Sequence, residues 1–300
     1  SPARAQEGIS LGCIDPTITD GKEFKYKHVD MVLNHEQRTA TITVHGPKEA
    51  APADAKELAA QGSDTWGMRV YRELEDALLR LRFNHPTIGL LLFHTRGDHA
   101  AILSHDQALH SAQGDWFADE LIWYRGRVLR RIDNMAKSMF AIIDEGSAFV
   151  GTLFEITLAC DRSYMMEDED GEVQIHLNGA SAGLYPMSTG ITRLDCRFMG
   201  EPSKTEDALA EDGPIDAPDA DDLALVTMAL DDIDWEDEIR IAIEERVSLS
   251  PDALTGMEQN LRFVGAENCE TKIYGRLTAW QNWIFQRPNA VGDQGALTLY

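Results

Sequence analysis

The chain of 300 residues carries a formal net charge of −24, with 43% hydrophobic and 26% charged residues. Phosphate binding needs clustered Lys and Arg, so this charge argues against nucleic acid as a partner. No stretch approaches the roughly twenty apolar residues that span a bilayer, so no membrane partner is expected. The composition is that of a globular protein with one large or two small domains.

The cysteines and the amino-terminal residues favour a cytoplasmic protein. The four cysteines lie far apart without a C-x-x-C pair, which argues against a disulfide framework or a zinc site. Residues 1–30 contain no apolar run after a basic start, so no secretory signal is predicted. Four histidines follow one another at intervals of five or six residues: His94, His99, His105 and His110. Such intervals do not place two ligands on one helix face, so no metal site is predicted.

Strands and helices are predicted from the spacing of apolar residues. The mixed, Gly- and Pro-bearing stretch 1–27 is interpreted as a tail or linker remnant. In chain order there follow a hairpin of strands 31–33 and 39–44, a helix over 69–83, a strand over 88–94, a helix over 116–137, a strand over 139–144, a helix over 151–160, strands over 162–166 and 173–177, and helices over 219–223, 236–247 and 271–286. Strands that alternate with helices predict an α/β fold with βαβ crossovers.

Three segments resemble the crotonase superfamily, whose members bind acyl-CoA thioesters. Residues 97–106, G-D-H-A-A-I-L-S-H-D, are similar to the first oxyanion loop, G-D-x-A-F-x-A-G-A-D. Residues 146–161 resemble the segment G-x-x-x-G-G-G-x-E-L-A-L-A-C-D, and residues 183–190 resemble the L-G-x-x-P-x-x-G turn. The resemblance implies a crotonase-like (ββα)n spiral core over 28–230, followed by a helical region over 231–300.

The carboxy-terminal segments resemble one family within that superfamily. Residues 231–235, 238–242, 250–258 and above all 275–292 look like benzoyl-CoA-dihydrodiol lyases of aerobic benzoate degradation. The resemblance covers about 28–300 and matches the second of two crotonase-like units, and we expect the amino-terminal unit to be missing. It implies that epoxidised benzoyl-CoA is opened with addition of water and loss of formate. The coenzyme A thioester is then the substrate, and no metal or redox cofactor is required.

The resemblance also implies roles for particular residues. The thioester oxygen would be bound by two backbone N–H groups, one at Thr152 directly after Gly151 and one near His105. Glu155 stands at the first of the two acid/base positions, and burial in its apolar surroundings would raise its pKa. The second position falls at Gly179, where no acid occurs. Substrate-pocket candidates are Asn178, Gly179 and Tyr185.

The missing second carboxylate leaves three interpretations open. The chain is part of the ring-cleaving lyase with a site of its own or a shared one, or it is a non-catalytic half that supports a catalytic crotonase unit. A free-standing acyl-CoA hydratase or isomerase is a third possibility, against which the missing acid counts. Crotonase-like units associate through carboxy-terminal helices, so we expect a homo-oligomer or pairing with another such unit through residues 271–286.

Overall fold

The computed structural model describes residues 8–299. Their centre is an eight-stranded sheet whose strands follow one another in chain order. The strands are β1 (Thr17–Thr19), β2 (Glu23–Lys25), β3 (Val29–Asn34), β4 (Thr39–His45), β5 (Leu90–Arg96), β6 (Ser138–Ile143), β7 (Arg162–Glu167) and β8 (Met228–Asp231). Neighbours pair antiparallel as far as β4 and parallel from β4 onward. The predicted α/β fold with parallel crossovers is confirmed.

Helices connect the parallel strands and form most of the carboxy-terminal part. They are α1 (Ala55–Gln61), α2 (Trp66–Asn84), α3 (His99–Ser111), α4 (Trp116–Asp133), α5 (Phe154–Ala159), α6 (Arg193–Arg197), α7 (Pro202–Ala210), α8 (Ala217–Asp222), α9 (Trp235–Ser248), α10 (Pro251–Leu261), α11 (Thr278–Ile284) and α12 (Pro288–Val291). A 3₁₀ turn, Gly151–Leu153, leads into α5, and π-helical turns occupy Ala180–Leu184 and Thr271–Leu277. None of the helices described is both long and apolar enough to cross a bilayer.

The main core lies between the sheet and α2, and α4 packs on α2. The buried stripe of α2 contains Val70, Leu74, Ala77, Leu78 and Leu81, as its 3.6-residue spacing predicts. The β3–β4 hairpin is also confirmed, and its inward residues alternate as expected for a strand with one covered face. Residues 173–177, predicted as a strand, are not one. Ile175 and His176 form only isolated bridging pairs, with Ile215 and Val150 respectively.

The interpretation of 1–27 as a tail is wrong for its second half. Strands β1 and β2 lie within that stretch and extend the sheet beyond β3. Phe24 and Tyr26 are buried in the core, and the Tyr26 hydroxyl donates to Asp76 at 2.6 Å. Residues 1–7 lie outside the described part of the chain. The division between a core and a helical region near residue 230 stays a prediction.

A buried lysine separates α4 from β6. Helix α4 ends at Asp133 and not at residue 137. The next residue, Asn134, caps it, because its side-chain amide donates to the Arg130 carbonyl at 2.9 Å. The Lys137 ammonium then donates to the carbonyls of His85 (2.9 Å) and Ile88 (2.6 Å), which joins the turn before β5 to the start of β6. Burial lowers the pKa of Lys137 to about 8.

This shift predicts a specific dependence of stability on pH. Because the folded chain releases the Lys137 proton near pH 8 and the unfolded chain near its ordinary value, the stabilising contribution is complete at high pH and lost as the pH falls through about 8. The free energy of unfolding of the parent, minus that of Lys137→Met, should therefore rise by about 2 kcal/mol between about pH 8 and 10. Urea unfolding of both proteins measures it, and a difference independent of pH would contradict it.

Candidate active site

Glu155 lies in the first turn of α5 and is sealed inside the protein. Its side chain is 2% exposed, because Phe154 and Ile156 on either side are core residues. The Ser181 hydroxyl donates to one carboxylate oxygen at 2.8 Å, and the Arg193 guanidinium donates to the other at 2.9 Å. Both oxygens of Glu155 are thus bound by other side chains of the chain.

Arg193 joins Glu155 to a second buried carboxylate. It forms a two-pronged pair with Asp133, with both N–O distances at 2.8 Å. Burial raises the pKa of Glu155; Arg193 opposes the shift and Asp133 adds to it. Burial likewise raises the pKa of Asp133 against the effect of Arg193. The expected upward shift of the Glu155 pKa is present, because burial raises it and one arginine neutralises only one of the two acids. Glu155 is nevertheless anchored and is not free to reach a substrate.

The backbone N–H groups of Gly151 and of the expected donor Thr152 are already bonded inside the protein. The Gly151 N–H donates to the His176 carbonyl at 2.7 Å, and the Thr152 N–H donates to the Asp106 carboxylate at 2.7 Å. Gly151 has φ +53, and a Cβ there would lie 2.4 Å from an Asp106 oxygen, so the turn needs glycine. Thr152 stands where the donor was expected, but its N–H faces an internal acceptor.

His105 lies in a helix and not on the loop that the resemblance predicts, and its role as an oxyanion donor stays a prediction. Asp98 caps α3 by accepting from the Ala101 N–H at 2.7 Å, so the segment after β5 turns into helix almost at once. His105 lies inside that helix, where backbone N–H groups bond to the preceding turn. Its ring contacts the Glu49 carbonyl at 3.1 Å and the edge of Trp66, and burial lowers its pKa.

Asp106 is the site residue that the sequence analysis missed. Its Oδ1 accepts from the Arg125 guanidinium (3.0 Å) and the Thr152 hydroxyl (2.6 Å). Its Oδ2 accepts from the Thr152 N–H (2.7 Å) and the Asn178 amide (3.2 Å). The signal was present, because Asp106 is the acid that ends the first resemblance segment. Its partners come from distant parts of the chain and could not be read from the segment alone.

A small cavity of about 140 Å³ opens beside Asp106. It brings together the three pocket candidates Asn178, Gly179 and Tyr185, and its lining is completed by Asp106, Gln107, His110, Thr152, Ala180 and Leu184. Gln107 and Asn178 also line an open groove of about 610 Å³ against 51–53. Glu155 does not line this cavity, and a Cβ at Gly179 would meet only open space. The role of the three candidates toward a substrate stays a prediction.

Other reactive groups are separate from this cavity. Cys160 and Cys196 line a second cavity of about 220 Å³ between α6 and α10, together with Asp133 and Arg193, and burial raises the pKa of both thiols. Within residues 8–299, no three His, Cys, Asp or Glu side chains are grouped so that they could hold a metal ion.

The raised pKa of Glu155 predicts how the Glu155→Gln variant should behave. The folded chain keeps this proton to a higher pH than the unfolded chain, so the contribution to stability is complete below the ordinary pKa and lost as the pH rises. The parent should therefore lose stability relative to Glu155→Gln as the pH rises above the ordinary glutamate pKa of 4.5. Urea unfolding across that range measures the difference, with the exposed Glu145→Gln as control. An equal response of the two variants would contradict the expectation.

Comparison with known proteins agrees with this geometry at the level of the fold. No protein-family model matches the sequence. The chain resembles an enoyl-CoA hydratase structure from Geobacillus kaustophilus (TM-score 0.65, 19% identity, 89% of this chain and 92% of that one). It also resembles an enoyl-CoA hydratase/isomerase structure from Cupriavidus metallidurans (TM-score 0.59, 18% identity, 87% of this chain and 89% of that one). The expected crotonase-like fold is confirmed.

A curated relative extends the likeness to the whole sequence. All 300 residues align with a benzoyl-CoA-dihydrodiol lyase from Aromatoleum evansii at 44% identity, and the chain spans 54% of that protein. The aligned part is the carboxy-terminal half, as the sequence resemblance predicted. The chain therefore has the fold of enoyl-CoA hydratases and is a relative of the carboxy-terminal half of benzoyl-CoA-dihydrodiol lyase.

Proposed function

We propose that this chain works in a ring-cleaving lyase of aerobic benzoate degradation. The observation that carries the proposal is the 44% identity to benzoyl-CoA-dihydrodiol lyase, in an alignment that covers the whole of this chain. Such a lyase opens the ring of epoxidised benzoyl-CoA with water and releases formate. The coenzyme A thioester is the substrate, and we expect no metal or redox cofactor. We place the protein in the cytoplasm, where acyl-CoA substrates are found.

The groove and the small cavity are the surfaces on which such a substrate would meet the chain. The groove is large and open, whereas the adjoining cavity is smaller and more enclosed, and Asp106, Thr152 and Asn178 contribute polar groups to it. Gln107 and Asn178 are shared by both, and His110 stands at the cavity with an exposed side chain. A thioester lying in the groove would therefore pass Gln107 and Asn178, where the groove adjoins the cavity.

A second function is favoured by the state of the expected catalytic groups. Glu155 is held by Arg193 and Ser181, the Thr152 N–H is bonded to Asp106, and position 179 carries no acid. Acid/base catalysis needs a group within reach of the substrate proton, and oxyanion stabilisation needs a donor aimed at the developing charge. The alternative is therefore a non-catalytic crotonase-like unit that pairs with a catalytic one.

Pairing of either kind would use the carboxy-terminal helices. Residues of the turn Thr271–Leu277 and of α11 have no buried side chains, and apolar groups are exposed along them, with Ile273, Leu277 and Phe285 between 40% and 49% exposed. Trp280 and Trp283 meet edge to face at 5.3 Å on the same surface. An apolar surface of this kind is typical of association sites.

The first test measures formate from epoxidised benzoyl-CoA. The chain, its Glu155→Gln variant and the control Glu145→Gln are compared, with the Aromatoleum evansii lyase present as a check of the substrate. Formate from the chain, lost only in Glu155→Gln, would show a catalytic unit in which Glu155 transfers a proton. Formate retained in Glu155→Gln would exclude that role. A folded chain that releases none, while the relative does, would favour the non-catalytic alternative.

The second test measures assembly. Trp280→Asp places a charge on the apolar surface of α11 and should lower the sedimentation coefficient of any complex while leaving the circular dichroism spectrum unchanged. Trp123→Asp is the matched control, because Trp123 is 65% exposed on α4, away from the carboxy-terminal helices. Unchanged sedimentation of Trp280→Asp, or an equal change in the control, would count against association through residues 271–286.

A further inference from the structure

We propose that the chain contains a carboxylate-binding pocket whose natural occupant is its own Asp106. Four donors from three separate segments converge on this one carboxylate: the Arg125 guanidinium, the hydroxyl and N–H of Thr152, and the Asn178 amide. Each carboxylate oxygen receives two of them, at distances between 2.6 and 3.2 Å. Two oxygens with two donors each is the hydrogen-bonding capacity of an ionised carboxylate.

The cationic side of the pocket is built around Arg125. This side chain is 1% exposed and lies over the rings of Trp66 (5.7 Å) and Tyr71 (5.3 Å). Its Nε donates to the Gly67 carbonyl at 3.2 Å, and a Cβ at Gly67 would come within 1.7 Å of the guanidinium. A buried guanidinium is stable only with an anionic partner. Arg125 therefore requires a negatively charged group in the pocket, which Asp106 supplies.

The other side of the pocket comes from the turn before α5. Thr152 supplies both a backbone and a side-chain donor, and Asn178 is fixed because its amide oxygen accepts from the Ala180 N–H at 2.8 Å. The Thr152 N–H is also the group expected to bind a thioester oxygen. While Asp106 accepts from it, a thioester oxygen cannot do so at the same atom. The Asp106 carboxylate thus occupies the position that a substrate oxygen would need.

The pocket differs from an ordinary buried ion pair in having an entrance. The cavity of about 140 Å³ is lined by Asp106 itself, together with Thr152 and Asn178. A small anion could therefore reach the donors if the Asp106 side chain were shortened, whereas a sealed ion pair would leave only an inaccessible void.

The test replaces the internal carboxylate with an external one. Asp106→Ala should unfold at a lower temperature than the parent, because Arg125 loses its partner. Sodium acetate or formate, compared with sodium chloride at equal ionic strength, should raise that unfolding temperature in a saturable way, because a ligand that binds only the folded state stabilises it. Asp106→Asn is the control, since its amide fills the pocket and should respond to acetate no more than the parent does.

Each result bears directly on the proposal. A saturable acetate response confined to Asp106→Ala, with acetate located between Arg125 and Thr152 in a crystal structure, would confirm it. An Asp106→Ala protein that folds and shows no response beyond that of Asp106→Asn would overturn it. If Asp106→Ala does not fold in chloride, its refolding yield in acetate and the same titration of Asp106→Ser decide the matter, and failure of both to respond to acetate would overturn the proposal.

Discussion

The buried ion pair between Arg125 and Asp106 is the interaction on which the candidate site depends. Arg125 comes from α4, Asp106 from α3, and Thr152 from the turn into α5, so one carboxylate fixes the relative positions of three elements. Removing one partner of a buried pair leaves the other charge without compensation and costs roughly 3–5 kcal/mol. That is a large share of the roughly 5–15 kcal/mol by which a domain is stable. The arrangement of the cavity is thus tied to the stability of the fold.

Arg193 forms a buried ion pair with Glu155, as Arg125 does with Asp106. It bridges Glu155 and Asp133 across α5 and the end of α4, with all three side chains buried. A proton-transfer group must change its charge near the substrate at little cost. Ser181 and Arg193 hold both carboxylate oxygens of Glu155, so the side chain is anchored and is not free to reach a substrate proton. The Glu155 carboxylate and the Thr152 N–H, to which the crotonase pattern assigns catalytic roles, thus both bind partners inside the protein.

Local patterns predicted the parts of the fold that local forces determine. The apolar stripe of α2 and the alternation of β4 lie within single elements, so they could be read directly. The resemblance predicts a loop over 97–106, but Asp98 caps a helix that begins at His99. Asp98 is a residue type that favours a helix start, and this signal is visible in the sequence. The ion pairs join positions that are distant in sequence, 19 residues apart for Asp106 and Arg125 and 38 for Glu155 and Arg193. Nothing in the spacing of these residues identifies their partners, whereas the absence of an acid at Gly179 was visible at once.

Sequence identity and site geometry answer different questions about this chain. Identity of 44% over the full length relates it to a lyase almost twice as long, and therefore bears on the reaction of that whole protein. The site geometry bears on how catalysis is divided between the parts of that longer protein. In the second function proposed above, the chain pairs with a catalytic crotonase-like unit and needs no free oxyanion donor, so its Thr152 N–H can bind an internal carboxylate. An acid at position 179 is equally dispensable there. The fold is then kept for its shape and its surfaces, which is the condition under which buried ion pairs can replace catalytic groups.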